Sequence, residues 1–234
     1  MKNLAIIPAR SGSKGLKDKN IKLLCGKPLI GYSIDAAKES GLFYEIMVST
    51  DSKHYAEIAV SCGANVPFLR SDEMSTDTAG SWDVVREVLQ KYREKGMKFD
   101  TVCLLQPTSP LRGGDDIVGG YKVFEDKKAD AVTSVCEVDH SPLWTMKLDE
   151  NKSLKEFRAK SKGNVPRQKL DTYYRLNGAL YIRKVGYMED EIRLLEADEY
   201  AYIMDRHRSV DIDTELDFEM AEFLMGKIGY RIDN

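Results

Sequence analysis

Short, mainly apolar runs alternate along the chain with segments in which apolar residues recur every three or four positions. Such runs are typical of strands buried on both faces of a sheet. The runs are Leu4–Ile7, Ile46–Val48, Val102–Leu105, Ala131–Val135 and Ala179–Ile182. Spacings of three and four are typical of amphipathic helices, because they place apolar side chains on one helix face. They predict helices around Leu29–Ala37, Trp82–Tyr92, Asp115–Phe124 and Glu215–Met225.

This alternation predicts an α/β fold. Strands that alternate with helices form a mostly parallel, Rossmann-like sheet, in which the crossover connections are right-handed. In such sheets a ligand binds outside the carboxyl ends of the strands. We therefore expect the binding and catalytic residues in the segments that directly follow the strands.

One polar stretch, Glu137–Arg175, interrupts the alternation and has no long helical period. We expect it to be an insertion between two core strands. Within it, Leu143–Leu148 and Leu154–Phe157 read as the two strands of a hairpin, joined by a polar turn. The core domain is then formed by residues 1–136 and 176–234.

Composition and charge narrow the classes of partner. The 234 residues fit one domain with an insertion, since a domain spans roughly 100–200 residues. Lys and Arg number 35 against 38 Asp and Glu, whereas a general nucleic-acid binder would show a basic excess. The apolar runs are too short to cross a bilayer or to form a signal-peptide core. Four widely spaced cysteines without a C-x-x-C pair indicate free thiols. We expect a soluble cytoplasmic protein that binds neither nucleic acid nor membrane.

The loop after the first predicted strand, Pro8–Asn20, combines glycines with cations. These residues are Gly12, Gly15, Arg10, Lys14, Lys17 and Lys19. Glycines let the backbone approach an anion, and cationic side chains add charge-assisted hydrogen bonds. The loop lacks both the G-K-[ST] of a Walker A loop and the G-x-G-x-x-G of a dinucleotide site. We interpret it as a polyphosphate site; the alternative is an ordinary basic surface loop.

Two carboxylates, Asp211 and Asp213, lie two positions apart in a segment that precedes the last predicted helix. In an extended segment this spacing places both side chains on one side. Mg²⁺ commonly takes one or two protein carboxylates and completes its shell with phosphate and water oxygens. A magnesium site is therefore the hypothesis here, and helix capping is the alternative for Asp213.

Two other loops carry polar residues suited to a ligand. Gln106 follows a strand, and its amide offers both a donor and an acceptor. Asn177 and Gly178 mark a point where a sugar or a base could approach the backbone closely. Ordinary turn chemistry explains the same two residues equally well.

Taken together, these segments resemble the acylneuraminate cytidylyltransferases, the CMP-sialic acid synthetases. Six motifs occur in the order found in that family: Pro8–Asn20, Ser49–Asp51, Asp77–Ala79, Gln106–Arg112, Arg175–Tyr181 and Ser209–Asp217. The resemblance implies an α/β nucleotidyltransferase fold. It also implies an enzyme that joins CTP to a nine-carbon 2-keto acid sugar and releases pyrophosphate.

The resemblance further implies roles for individual residues. The nucleotide would be bound by Arg10, Ser13, Lys14, Lys19, Asn20 and Ser81. The sugar would be bound by Gln106, Arg167, Asn177, Gly178 and Tyr181. Arg10, Lys19 and Asp211 would be catalytic, and Asp211 and Asp213 would ligate Mg²⁺. The insertion matches the dimerisation element of that family, so a homodimer is expected in which the partner subunit reaches into the active site.

The resemblance leaves the sugar open. N-acetylneuraminic acid is favoured by the motifs, and homologous enzymes activate legionaminic or pseudaminic acid. Trp144 stands where such enzymes can carry a lysine. If it faces the site, it would make one wall of the sugar site less polar and favour a legionaminic acid; the alternative is that it anchors an interface. Arg167 is expected to contact the sugar carboxylate. The alternatives are a related nucleotidyltransferase for another keto-acid sugar and a nucleotide-sensing protein on the same fold.

Overall fold

A six-stranded sheet with helices on both faces forms the centre of the structure, a computed structural model that describes residues 1–12, 15–76, 78–160, 170–188 and 197–228. The strands in this part of the chain are β1 (Asn3–Pro8), β2 (Leu23–Leu24), β3 (Lys27–Pro28), β4 (Glu45–Ser49), β5 (Thr101–Leu104), β6 (Ala131–Glu137), β7 (Tyr174–Lys184) and β8 (Glu199–Ile203). Its α-helices are α1 (Leu29–Ser40), α2 (Lys53–Ser61), α3 (Ser81–Glu94), α4 (Gly114–Asp126), α5 (Lys155–Lys160) and α6 (Glu215–Ile228).

The strands of the large sheet lie in the order β4-β1-β5-β7-β6-β8. Strands β4, β1 and β5 are parallel to one another, and β8 is parallel to β6. Strand β7 runs antiparallel to both of its neighbours. The mostly parallel α/β sheet predicted from the sequence is therefore confirmed, and the predicted run Ala179–Ile182 lies in an antiparallel strand.

The position of the insertion explains the direction of β7. Strand β6 ends at Glu137, which pairs directly with Tyr174 at the start of β7. The chain therefore leaves the sheet and returns to it at the same end. Antiparallel neighbours need no crossover helix, whereas parallel neighbours do. The insertion is thus a long connection at the end of the sheet where β1 and β5 have their carboxyl ends.

Alternate residues of the central strands enter two different cores, as expected for strands buried on both faces. On one face, α1, α2 and α4 cover a cluster that includes Ile7 and Leu180. On the other face, α3 packs on residues that include Ile6 and Leu104. The predicted apolar stripes of α1 and α3 are confirmed as the contacting faces of these helices.

A third cluster fixes the last helix beside the loop that follows β1. Phe218, Ala221 and Met225 of α6 pack with Leu29 and Tyr32 of α1. Ile212, which precedes α6, is fully buried in the same cluster. This packing places the acidic segment at the carboxyl edge of the sheet.

The hairpin predicted within the insertion is wrong. Residues Pro142–Trp144 form a 3₁₀ turn, for which the Ser141 hydroxyl accepts a hydrogen bond from the backbone of Leu143 at 3.3 Å. The segment expected to form the second strand lies largely in helix α5. Lys, Glu, Arg and Ala are good helix formers, and an isolated hairpin is marginally stable in water, so local propensity favours the helix.

Two further expectations concern thiols and membranes. All four cysteines are free, and Cys103 and Cys136 are buried as predicted. Along the ranges that the structure describes, none of the helices has both the length and the apolar character that crossing a membrane requires.

Candidate active site

A cavity of about 540 Å³ lies at the carboxyl edge of the sheet. It brings together seven of the residues predicted from the sequence: Arg10, Lys19, Asn20, Ser81, Gln106, Asp211 and Asp213. They come from four separate segments of the chain, and the fold places them around one space. Ser13, Lys14 and Arg167, also predicted site residues, lie outside the described residues.

The loop after β1 wraps one side of this cavity. Asn20 is buried and donates a hydrogen bond through Nδ2 to the backbone oxygen of Arg10 at 3.0 Å, so its amide fixes the shape of the loop. A Cβ atom on Gly15 would lie 2.7 Å from the backbone oxygen of Asp213. Glycine is therefore required at this position because another part of the chain passes against it.

Lys19 joins this loop to the acidic segment. Its Nζ donates to the backbone oxygen of Ile212 at 2.6 Å and to Oδ1 of Asp213 at 3.0 Å. The Lys19 side chain is 12% exposed, whereas that of Asp213 is 76% exposed. A cation that is largely buried and held at both a carbonyl and a carboxylate is a fixed charge on the cavity wall.

Asp211 and Asp213 both face the cavity because the residue between them points away. The Ile212 side chain is buried in the core under α6, and alternate side chains in an extended segment point to opposite sides. The backbone nitrogen of Ile212 donates to the backbone oxygen of Thr108 at 2.9 Å, which anchors the segment to the loop after β5.

Burial raises the pKa of Asp211, and the nearby charge of Asp213 raises it further. A hydrogen bond from the Thr108 side chain and the positive charges of Lys19 and Arg175 act in the opposite direction. The ionised form of Asp211 thus carries a desolvation cost that a bound cation would relieve.

This donor set fits a magnesium ion. Two carboxylates on one wall of a cavity match the number that Mg²⁺ usually takes from a protein, with phosphate and water oxygens as its other ligands. Within the described ranges there is no cluster of three or more His, Cys, Asp or Glu side chains that could form an all-protein metal site. The carboxylate pair is therefore suited to an ion that arrives with, or is completed by, a phosphate ligand.

The capping alternative for Asp213 is not what the structure shows. Oδ2 of Asp217 accepts hydrogen bonds from the backbone nitrogens of Asp213 at 3.1 Å and Thr214 at 2.8 Å. The backbone of Asp217 donates in return to the Thr214 hydroxyl at 3.3 Å. This reciprocal capping box starts α6 and leaves the Asp213 carboxylate for Lys19.

Gly178 lies where β7 passes closest to the site. Its φ is +78°, and a Cβ atom there would lie 2.9 Å from Oε1 of Gln106 and 3.4 Å from Oδ2 of Asp211. Both the backbone conformation and the space therefore require glycine. The groups that lie close to this position are side chains of the protein itself, and the approach of a sugar or a base stays a prediction.

Asn177 occupies a different environment from the one expected. Its side chain is 1% exposed and lines neither of the two cavities described here. Its Oδ1 accepts from the Ser134 hydroxyl at 2.6 Å, and its Nδ2 donates to the Ser209 hydroxyl at 2.9 Å. The amide thus ties β6, β7 and the segment before Asp211 together, and it acts on the site through them.

A second cavity, of about 650 Å³, adjoins the first. The two share Ser81 at the start of α3 and Gln106 after β5. Tyr181 lines the second cavity, and its ring meets the edge of the Trp82 ring with centroids 6.0 Å apart. The site therefore has two connected compartments, one rich in charge and one with aromatic walls.

Sequence reasoning missed several residues that line these compartments. Arg70 is buried beside the first cavity and donates to the backbone oxygen of Ser49 at 2.6 Å and to its hydroxyl at 3.1 Å. Burial lowers the pKa of Arg70 to about 10. Trp82, Arg183 and Glu199 line the second cavity. The sequence signal for Arg70 was the Ser49–Asp51 motif at the end of β4, because Ser49 accepts both of these hydrogen bonds.

Trp144 does not form the wall predicted for it. It is 41% exposed within the insertion and lines neither of the two cavities described above. The aromatic wall of the second compartment comes instead from Trp82, at the start of α3.

Comparison with known proteins is consistent with this geometry. The cytidylyltransferase family model matches residues 4–225. The CMP-N,N'-diacetyllegionaminic acid synthase of Legionella pneumophila is 38% identical, over 96% of this chain and 97% of that protein. The N-acylneuraminate cytidylyltransferase of Escherichia coli is also 38% identical, over 94% of this chain, which spans about half (51%) of that longer protein.

Solved structures show the same fold. A CMP:2-keto-3-deoxy-manno-octonic acid synthetase complexed with CTP superposes with a TM-score of 0.74, covering 97% of this chain and all of that chain. Its sequence identity of 16% supports the architecture alone. The family model and the two relatives cover nearly the whole chain, together with the charged cavity described above. The chain is therefore a nucleotidyltransferase that belongs to the cytidylyltransferase family.

Proposed function

We propose that this enzyme transfers the cytidylyl group of CTP to a nonulosonic acid, a nine-carbon 2-keto acid sugar, and releases pyrophosphate. The observation that carries the proposal is the pair of adjoining cavities. One is lined by Arg10, Lys19 and two carboxylates, and the other by aromatic and mixed polar residues. The first suits a triphosphate with its metal ion and the second suits a sugar. Both relatives above are named for nonulosonic acids.

In this proposal the anomeric hydroxyl oxygen of the sugar attacks the α-phosphorus of CTP in line with the leaving group. An oxygen–phosphorus bond forms, the hydroxyl releases its proton, and the bond between the α-phosphorus and the bridging oxygen of pyrophosphate breaks. The protein contributes mainly position and charge to such a transfer. Gln106 lies where the two compartments meet, so its amide is placed to orient the sugar against the nucleotide.

Cationic residues of the β1 loop stabilise the charge that develops on the departing pyrophosphate. Lys19 is held in place by Ile212 and Asp213, so its charge needs no reorganisation during the reaction. Arg10 lines the same cavity. Asp211 and Asp213 would hold Mg²⁺, which when bound supplies charge neutralisation at the phosphate oxygens.

The direct test is a pyrophosphate-release assay with CTP, MgCl₂ and a panel of 2-keto acid sugars. We expect release with nonulosonic acids and much slower release with 2-keto-3-deoxy-manno-octonic acid. Pyrophosphate release with the eight-carbon sugar alone would contradict the proposed substrate class. CTP binding without release with any sugar would favour the nucleotide-sensing alternative.

Asp211→Asn should reduce kcat on the order of 100-fold or more, because the segment loses a charged metal ligand. The melting temperature, by contrast, should not fall. The pKa of Asp211 is raised in the folded chain, so its ionised form destabilises the fold once the pH exceeds that pKa. The amide removes this cost, and the Tm at pH 8 should equal or exceed that of the wild type.

The matched control for this variant is Asp217→Ala, four residues after Asp213. It removes the cap of α6 and should cost about 1 kcal/mol of stability with kcat nearly unchanged. Steady-state kinetics and calorimetric melting of both variants measure the two effects. If Asp211→Asn instead lowers Tm and keeps kcat, Asp211 is a structural residue.

Lys19→Met and Lys22→Met form a second matched pair. Each lysine pairs with a carboxylate of the same segment, Asp213 for Lys19 and Glu215 for Lys22, but Lys19 alone of the two lines the cavity. We expect Lys19→Met to lower kcat by about 100-fold, since one fixed charge on the leaving group is lost. Lys22→Met should leave kcat close to that of the wild type. Equal kinetic effects in the two variants would contradict the role of Lys19.

We propose that the insertion mediates a homodimer. Among its described residues, the exposed large apolar side chains include Leu143, Trp144, Met146, Leu148 and Leu154. An exposed apolar surface of this kind marks an interaction site, and twofold pairs are the commonest oligomers.

Light scattering at micromolar concentration should give the mass of two chains. The double substitution Trp144→Ser with Leu148→Ser should shift this mass toward one chain. Val60→Ser, which changes an exposed apolar residue on α2, should not. A monomeric wild-type chain would refute the dimer.

A further inference from the structure

The second cavity has a sheet face as its floor. In the sheet, Arg183 of β7 stands between Val102 of β5 and Ala131 of β6, and Ala131 in turn pairs with Glu199 of β8. Residues opposite one another in a sheet point to the same face. Arg183 and Glu199 both line the cavity, and the first turn of α3 reaches it through Trp82.

Arg183 is held in this cavity by stacking. Its guanidinium carbon lies 4.1 Å from the centroid of the Trp82 ring, within the range of a cation–π contact. Its Nε and Nη1 atoms are buried and, among the described residues, have no hydrogen-bond partner. A buried N–H without an acceptor costs free energy, and a ligand acceptor that reached these atoms would relieve that cost.

The position of Arg183 along β7 limits which end of a substrate it could meet. Gly178, five residues earlier, lies against Asp211 and Gln106. At about 3.4 Å per residue, the backbone of Arg183 lies about 17 Å farther along the strand. The carboxylate of a 2-keto acid sugar is attached to the carbon that carries the attacking hydroxyl. With that carbon beside Asp211, the tail is the only part of the sugar that would extend toward Arg183.

The side chains around Arg183 differ in polarity and in whether they donate or accept hydrogen bonds. Arginine supplies only donors, and the Glu199 carboxylate supplies only acceptors, one of which is used by the Thr133 hydroxyl. Trp82, Leu104 and Val135 supply apolar surface. An acylamino group has one feature for each of these: a carbonyl oxygen that accepts, an N–H that donates, and an alkyl group. A tail of hydroxyl groups leaves the apolar surface without a match.

We propose that Arg183, stacked on Trp82 and opposite Glu199, is a specificity-determining residue that binds an acylamino group on the tail of the sugar. The substrate class is then a nonulosonic acid with an acylated amine near the end remote from the reacting carbon. This inference rests on the proposed function and assigns its second compartment.

The test compares two sugars, N,N'-diacetyllegionaminic acid, which has an acylamino tail, and N-acetylneuraminic acid, which has a hydroxylated one. We expect the wild-type enzyme to have the higher kcat/KM for the diacetylated sugar. Arg183→Met should lower this preference at least about tenfold, mainly through a higher KM for the diacetylated sugar. The KM for CTP should stay close to that of the wild type.

Two variants complete the design. Arg183→Lys keeps the charge but lacks the planar fork, so its preference should lie between those of the wild type and Arg183→Met. Lys184→Met changes the next residue of β7. The Lys184 side chain does not line the cavity, and its Nζ lies 2.7 Å from Oδ1 of Asp130. The sugar preference of this variant should equal that of the wild type. Melting temperatures show whether each variant is folded.

Four results would overturn the inference. The first is a wild-type preference for N-acetylneuraminic acid. The second is an equal loss for both sugars in Arg183→Met and in Arg183→Lys, which indicates a structural role. The third is no pyrophosphate release with any nonulosonic acid, which refutes the proposed function as well. The fourth is release with a sugar preference that Arg183→Met leaves unchanged, which refutes this inference alone.

Discussion

The ammonium group of Lys19 joins two parts of the chain that are 193 residues apart in sequence. It connects the loop after β1 to the segment before α6, and the rest of the site is arranged around that connection. Its charge opposes the rise in the pKa of Asp211 that burial and the charge of Asp213 cause. Because Lys19 is also largely buried, its charge is weakly screened by solvent and would act strongly on a phosphate group bound in the cavity.

The acidic segment depends equally on apolar packing. Ile212 is buried under α6, and this single side chain sets the orientation of the carboxylates on either side of it. The loop after β5 holds the same segment through the backbone oxygen of Thr108. The site is therefore built by the hydrophobic core as much as by its charges, since a rotation of this segment would turn both carboxylates away from the cavity.

Much of this arrangement was accessible from the sequence because it is local. Apolar runs predicted the central strands, and the loops after β1 and β5 and the segment before α6 hold six of the seven predicted residues of one cavity. The seventh, Ser81 at the start of α3, was predicted from the family resemblance alone. The reversed direction of β7 was not accessible, since apolar runs carry no information on strand direction. Neither was the helix at Lys155–Lys160, where a pattern of apolar residues competed with helix propensity. The contact between Arg183 and Trp82 joins residues from a strand and a distant helix, and no local pattern reports such a pair.

Gly15 has a consequence for how related sequences are interpreted. The glycine is needed because the backbone of Asp213 passes 2.7 Å from where a Cβ atom would lie, whether or not a nucleotide is present. A descendant of this protein that had lost its catalytic activity would still be under selection to keep the glycine, as long as its loop packed against that segment. Gly15 therefore reports the ancestry of a homologue, whereas, under the proposed mechanism, the charged residues at positions 19 and 211 report whether it is still an enzyme.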